Sequence, residues 1–264
     1  MNTHSPRGTG PGTATTVPEP VLRLSQLGWR VGGATILEQV TLDVREGEFL
    51  AFIGPNGAGK TSLFNLISGL NRASGGSIAL DGRDITALPA HARARLGLGR
   101  TFQTSSLWPA MSVADHVRLA AQAAQGGSYG LWRPARRYPG EVADTLERTG
   151  LAHRADSPAA ALSHGEKRKL ELAVLLVGDP RVMLLDEPMA GVSAEEVPAL
   201  TELVRSLHRD EGRTVLMVEH HMDVLLGLAD RLAVMHHGTL LALDTPEAVM
   251  ADATVQSAYL GEAL

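Results

Sequence analysis

No cysteine occurs in the 264 residues, which excludes disulfides and thiolate metal sites and fits a reducing compartment. Positive charge is not in excess either. The net charge is -5 and the pI about 6.1, so no global field draws the chain to nucleic acid or anionic lipid. No apolar run approaches the ~18 residues needed to cross a bilayer, and the N-terminus lacks the apolar core of a signal peptide. Any role at a membrane is therefore expected to come through a partner. Internal repeats are absent. What the chain does have is apolar content: 44% hydrophobic residues suffice for one large core, or a core with a subdomain.

The densest information lies in Gly54-Pro55-Asn56-Gly57-Ala58-Gly59-Lys60-Thr61, followed by Ser62. This spacing is a complete phosphate-binding loop. Glycines let backbone N–H groups turn inward around phosphates, Lys60 can reach the β- and γ-phosphates, and the Thr61 hydroxyl can ligate Mg²⁺. Its flanks agree. Phe49–Ile53 reads as a short buried strand, and Ser62–Ser68 as a helix ended by Gly69. A glycine-rich turn that binds nothing explains neither flank, so the loop predicts a nucleotide site.

Residues 1–18, rich in Gly, Thr and Pro, read as a flexible tail. Val21–Leu27 and Val40–Val44 alternate apolar and polar residues as half-buried strands do, and Ile78–Leu80 before Asp81-Gly82 is a strand with a hairpin-type turn. These predict an N-terminal sheet of partly antiparallel character. From about Leu88 to Leu172 the pattern turns helical, interrupted by the polar stretches 126–130 and 133–137, and reads as a helical insertion carrying a loop. Beyond it come alternating segments: strand Val182–Leu185, helix Ala194–Arg209, strand Thr214–Val218, helix Met222–Ala229. That alternation predicts a parallel sheet covered on both faces, the α/β class. A ribbon over Leu232–His236 and Thr239–Leu243 follows, then a helix opening at Thr245-Pro246-Glu247.

Val182-Met183-Leu184-Leu185-Asp186-Glu187 is an apolar strand that delivers two carboxylates at its C-terminal edge, where phosphates sit in an α/β sheet. Asp186 is the natural Mg²⁺ partner, and Glu187 is free to orient or deprotonate a water. Ser163 with Glu166 three residues on is a capping box. A well-capped helix is the plain reading of that pair. The same hydroxyl and the Gly165 backbone also make a ready anion site.

With Leu162-Ser163-His164-Gly165-Glu166 set between the phosphate loop and Asp186-Glu187, the chain resembles the nucleotide-binding subunits of ABC transporters. The resemblance covers about Val21 to Leu264, with a glutamine loop at Gln103 and a switch histidine at His220 in family order. It implies a P-loop NTPase (RecA-like) core with an N-terminal antiparallel β subdomain and an inserted helical subdomain at about 88–172, the cassette occupying 19–264. Gly99-Arg100-Thr101-Phe102-Gln103, Ala190-Gly191-Val192-Ser193, Val218-Glu219-His220 and Ala258-Tyr259-Leu260-Gly261-Glu262 resemble branched-chain amino-acid importers, with urea or short-amide importers second.

The resemblance implies ATP held between two subunits packed head to tail. Gly54 to Ser62 of one would hold the phosphates, with Mg²⁺ on Thr61, Gln103 and, through water, Asp186. Ser163 and Gly165 of the other would cap the γ-phosphate, Glu187 would activate water, and His220 would contact the γ-phosphate. It further implies integral-membrane permease subunits, a second ATPase that is a copy or a paralogue, an extracytoplasmic solute-binding protein, no nucleic acid, and a place on the cytoplasmic face of the membrane. Three positions depart from the family: Val31 where an adenine-stacking aromatic is usual, Ser193 for the usual Asp, and His221 for another. Trp29 stands two residues before Val31, and whether it substitutes is left open.

His220-His221 and His236-His237 are poor chelates, because adjacent strand residues point to opposite faces. Trp132–Tyr138 reads as an exposed loop with snorkelling side chains, and Leu107–Met111 as either helical core or a groove for a membrane partner. A soluble cassette ATPase of translation or repair and a nucleotide kinase are the competing functions. The first needs two cassettes or a long coiled coil, and the second leaves Ser163, Gln103 and His220 unexplained.

Overall fold

The structure, a computed structural model, describes residues 19–101, 107–124 and 139–260. Gln103, the tail 1–18, the stretch Trp132–Tyr138 and Gly261-Glu262 lie outside the described residues.

Two sheets share the chain. The first runs β2 (Ala34–Val44), β1 (Leu22–Val31), β4 (Gly75–Leu80), β5 (Arg83–Asp84), with every neighbouring pair antiparallel. β1 and β2 are longer than their alternation suggested, because both continue as exposed ribbon to a turn at Gly32-Gly33.

The second sheet runs β10 (Thr239–Asp244), β9 (Arg231–His236), β3 (Phe49–Ile53), β8 (Thr214–Val218), β7 (Val182–Asp186), β6 (Leu98–Arg100). It is parallel except at the β9–β10 edge. Period-two alternation sends Leu50 and Phe52 of β3, Val182 and Leu184 of β7, and Leu216 and Val218 of β8 into one core. Phe49, Ala51, Ile53, Met183, Leu185, Val215 and Met217 enter the other. All fifteen positions of β3, β7 and β8 are buried, which is why these strands read as unbroken apolar runs.

β6 corrects the expectation of a purely helical stretch from Leu88 to Leu172. Leu98, Gly99 and Arg100 pair in parallel with Val182, Met183 and Leu184, so the chain returns to the main sheet first. A helical cluster follows, in which α3 (Val113–Ala124), α4 (Pro139–Arg148) and α5 (His164–Leu176) pack around Val117, Leu146, Leu162 and Leu170. Numbered in chain order with these, α1 is Lys60–Ser68, α2 Ala90–Arg95, α6 Val197–Arg209, α7 Met222–Leu228, α8 Pro246–Ala251 and α9 Ala253–Leu260. α6 starts three residues later than its sequence pattern suggested, because the preceding residues form a turn in which the Glu196 and Val197 N–H groups both donate to the Ser193 carbonyl.

α1 is held at its C-terminus by Arg93 of α2. Its buried guanidinium donates to the carbonyl oxygens of Leu66 (2.6 Å), Ile67 (2.7 Å), Thr86 (2.8 Å) and Leu88 (2.9 Å). The first two belong to the last turn of α1, where carbonyls run out of helical donors, and the other two lie in the segment leading into α2. Gly69 ends α1 with φ 78°, and a Cβ there would stand 2.8 Å from Arg93 Nε.

Candidate active site

The phosphate loop connects β3 to α1. Gly54 has φ 148°, and a Cβ on it would stand 2.1 Å from the Met235 carbonyl oxygen. Gly59 caps α1 with φ 100°, against Leu37. Both positions exclude a side chain on space and conformation together. The loop rests on the β9–β10 turn, where Gly238 N–H donates to the Ala58 carbonyl at 3.0 Å. Because Gly59 has no side chain, no side-chain cap closes the α1 N-terminus. That leaves an anion-favouring helix end facing the loop.

Lys60 folds back over this loop. Its Nζ donates to the carbonyl oxygens of Gly54 (2.5 Å) and Pro55 (3.0 Å). Burial holds the ammonium below the ordinary lysine range, while Glu187 and Asp186 push the other way. Thr61 Oγ1 faces Asp186 Oδ1 at 3.5 Å. Burial also raises the Asp186 carboxyl above its usual range, against the pull of Arg100. A hydroxyl and a carboxylate at the mouth of the loop are hard oxygen donors that suit Mg²⁺, a cation that keeps most positions for phosphate and water. Among the described residues no cluster of three or more His, Asp or Glu offers a different metal site.

Glu187 follows directly, with φ 50°, a left-handed conformation rare for a side-chain residue and common at functional sites. Its N–H donates to the Val218 carbonyl at 2.9 Å, fixing the turn against β8. His220 stands across from it, Nε2 at 3.2 Å from Glu187 Oε1. The structure thus gathers Lys60, Thr61, Asp186, Glu187 and His220 at one end of the parallel strands. Ser163 and Gly165 belong to another place, the N-terminus of α5. There the capping box is complete: Ser163 Oγ accepts from Glu166 N–H (3.1 Å), and Ser163 N–H donates to Glu166 Oε2 (2.9 Å). Ser163 Oγ also donates to Glu196 Oε1 at 2.6 Å.

The comparisons with known proteins follow from this geometry. The family model described as ABC transporter matches residues 37–190. The chain belongs to the ABC transporter family. It is 40% identical over 253 residues to the high-affinity branched-chain amino acid transport ATP-binding protein LivG of Salmonella typhimurium, covering 93% of this chain and 99% of the relative. It is 38% identical over 252 residues to the corresponding protein BraF of Pseudomonas aeruginosa, covering 92% and 99%. A nucleotide-free ATP-binding cassette superposes with TM-score 0.81 at 28% identity, covering 92% of this chain and 99% of that one. An ADP conformation of a cassette gives 0.81 at 29%, covering 93% and 100%.

Within the cassette, three acidic or basic groups act where motif reading did not place them. Arg100, seen in the sequence only as part of the run before Gln103, is salt-bridged to Asp186 at 3.0 Å with both side chains buried. Glu219 is buried too, and its carboxylate accepts from Met189 N–H (2.8 Å), His220 N–H (2.8 Å), and His221 Nδ1 (2.9 Å). His221, itself exposed, thus has a buried carboxylate as its partner. Glu196 accepts from both Ser163 and Ser193. No local pattern marks these three, since each has a key partner distant in sequence: Asp186 for Arg100, Met189 for Glu219 and Ser163 for Glu196.

Val31 is half exposed, and Trp29 packs against the first core beside Leu37, lining a shallow cleft of about 240 Å³. The His236 and His237 rings meet edge to face at 4.0 Å instead of pointing apart, because His237 leaves the strand at φ 46°. Leu107 packs on the helical cluster, while the Trp108 side chain is exposed and its backbone N–H donates to Nε2 of buried His116 at 2.9 Å.

Proposed function

We propose that this chain binds ATP with Mg²⁺ and hydrolyses it to drive uptake of branched-chain or other hydrophobic amino acids through a membrane permease. The observation that carries this is the meeting of Lys60 and Thr61 with Asp186, Glu187 and His220, in a cassette whose relatives carry branched-chain amino acid transport in their names.

The chemistry follows from the residues. Lys60 exchanges the Gly54 and Pro55 carbonyls for β- and γ-phosphate oxygens, a stronger charge-assisted pairing. The α1 N–H groups receive the remaining phosphate oxygens. Thr61 and Asp186, and in the family pattern Gln103, would hold Mg²⁺, which when bound would supply neutralising charge at the phosphates. Glu187 takes a proton from the attacking water, and His220 moves from Glu187 to the γ-phosphate. Ser163 and Gly165 serve the ATP of a second subunit, so closure and hydrolysis are coupled.

No described helix is long and apolar enough to cross a membrane. Attachment to the cytoplasmic face comes through the permease, and the exposed Trp108 above His116 supports docking there. An extracytoplasmic solute-binding protein supplies the substrate.

The test is reconstitution of this chain with its permease and binding protein in vesicles. ATP-dependent uptake of leucine, with hydrolysis stimulated by the loaded binding protein, is expected. Uptake of urea with none of leucine would overturn the substrate assignment.

A further inference from the structure

Arg100 closes β6 and lies three residues before Gln103. Its Nη2 donates to Asp186 Oδ2 at 3.0 Å, and its Nη1 donates to Asn65 Oδ1 and Ser68 Oγ, each at 2.8 Å. Asn65 and Ser68 sit on α1, the helix whose first two residues are Lys60 and Thr61. The guanidinium carbon lies 6.0 Å from the centre of the Phe64 ring on the same helix. One planar cation therefore ties the phosphate-loop helix to the acid at the end of β7. The Arg100 side chain is 6% exposed and that of Asp186 is 0%, so water does not compete for the pair.

The two carboxylate oxygens are divided between two tasks. Oδ2 belongs to Arg100, while Oδ1 faces Thr61 Oγ1 at 3.5 Å. A free carboxylate could turn either oxygen, or both, toward a metal. A lysine in place of Arg100 would supply charge from one nitrogen but could not hold Asp186 and α1 at once in fixed geometry.

We propose that Arg100 is the positioning residue for magnesium in this site: by gripping Oδ2 from an anchor on α1, it presents Oδ1 beside Thr61 as a single preset ligand. This rests on the reading of Thr61 and Asp186 as the metal side of the ATP site. Partners that orient a metal ligand typically change metal affinity by about 10–100-fold when lost.

The test measures binding, not turnover. A fluorescent ATP analogue is titrated into the purified chain in EDTA and at increasing Mg²⁺, and thermal melting is recorded for each variant. For Arg100→Lys, affinity in EDTA should stay within about twofold of wild type while the Mg²⁺ needed for half-maximal enhancement rises roughly tenfold or more. Asn65→Leu leaves Arg100 and Asp186 intact but removes one anchor, and it should shift the Mg²⁺ midpoint in the same direction by less. Should Arg100→Lys fold poorly, Asn65→Leu carries the test alone. A lowered melting temperature with an unchanged Mg²⁺ midpoint in both variants would make Arg100 a structural residue and overturn the proposal. An equal loss of affinity with and without Mg²⁺ would overturn it too. If wild type itself shows no Mg²⁺ enhancement, the reading of Thr61 and Asp186 fails before Arg100 is questioned.

Discussion

His220 Nε2 lies 3.2 Å from Glu187 Oε1, so in the single subunit this histidine is paired with the acid proposed to activate water. A carboxylate can only accept, so Nε2 carries the proton and donates. In the proposed mechanism hydrolysis requires this pair to open, because Glu187 would face water and His220 the γ-phosphate.

Glu187→Gln keeps the shape and one acceptor oxygen but cannot take a proton. ATP binding should persist while hydrolysis falls by about 10²–10⁴. ATP-bound dimer should accumulate and be visible by size exclusion. Turnover equal to wild type would remove Glu187 from its role.

Lys60→Ala removes the fixed cation over the loop. ATP affinity should drop sharply and turnover fall by roughly 10²–10³, the scale of losing one preorganised charge-stabilising group. Calorimetric titration checks the first and phosphate release the second.

Ser163→Arg tests the shared site. The monomer should bind ATP normally, yet neither close nor hydrolyse. In dimers mixed from Ser163→Arg and Lys60→Ala subunits, one interface carries both lesions and the other none, so part of the activity should return. If a paralogue is the natural partner, the mixing is done across that pair. Concentration-independent hydrolysis that ignores Ser163→Arg would point back to an ordinary kinase-like site.

The α5 cap should be acid-sensitive. For Glu166, burial works against ionisation, but the Ser163 N–H and Arg154 outweigh it and hold the carboxyl below its ordinary value of 4.5. Glu196 is lowered as well, first by the Ser163 hydroxyl and then by Ser193. Both carboxylates have lower values folded than unfolded, so their contribution is complete above about 4.5 and fades as pH falls through the lower folded values. Hydrogen exchange at the α5 N-terminus should rise in that acid window. Glu166→Gln should flatten the rise.

Arg93→Met should destabilise the fold without touching the site directly. Two of its acceptors, the Leu66 and Ile67 carbonyls, are buried. The Leu66 carbonyl keeps the Gly69 N–H at 3.2 Å, so the Ile67 carbonyl is the one of the two left unpaired, a loss of about 1–3 kcal/mol read from the denaturant midpoint.

How much of this was visible in sequence depends on how far each partner lies along the chain. β3 and β8 match their sequence-based limits because runs of five and four buried apolar residues allow one reading. The Ser163–Glu166 box and the Thr245 cap of α8 are local hydrogen bonds, and both are present. β6 was missed because Leu98 is its only buried residue, and its identity as a strand comes from β7, more than eighty residues on. The glycine-rich loop before α1 and the two acids at the end of β7 are legible from local spacing. Arg100, Glu196 and Glu219 do not, since an isolated charged residue says nothing about which carbonyl, serine or aspartate it will meet.

Glu219 also constrains how the site can move. One buried carboxylate is the common acceptor for Met189, two residues past Glu187, and for His220 and His221. Shifting either loop alone would strand an N–H or an oxygen away from water, at about 1–3 kcal/mol for each orphaned group. The segment after the acids and the segment bearing the histidine therefore behave as a single mechanical part. A displacement that starts at one loop arrives at the other without any need for a longer route through the core.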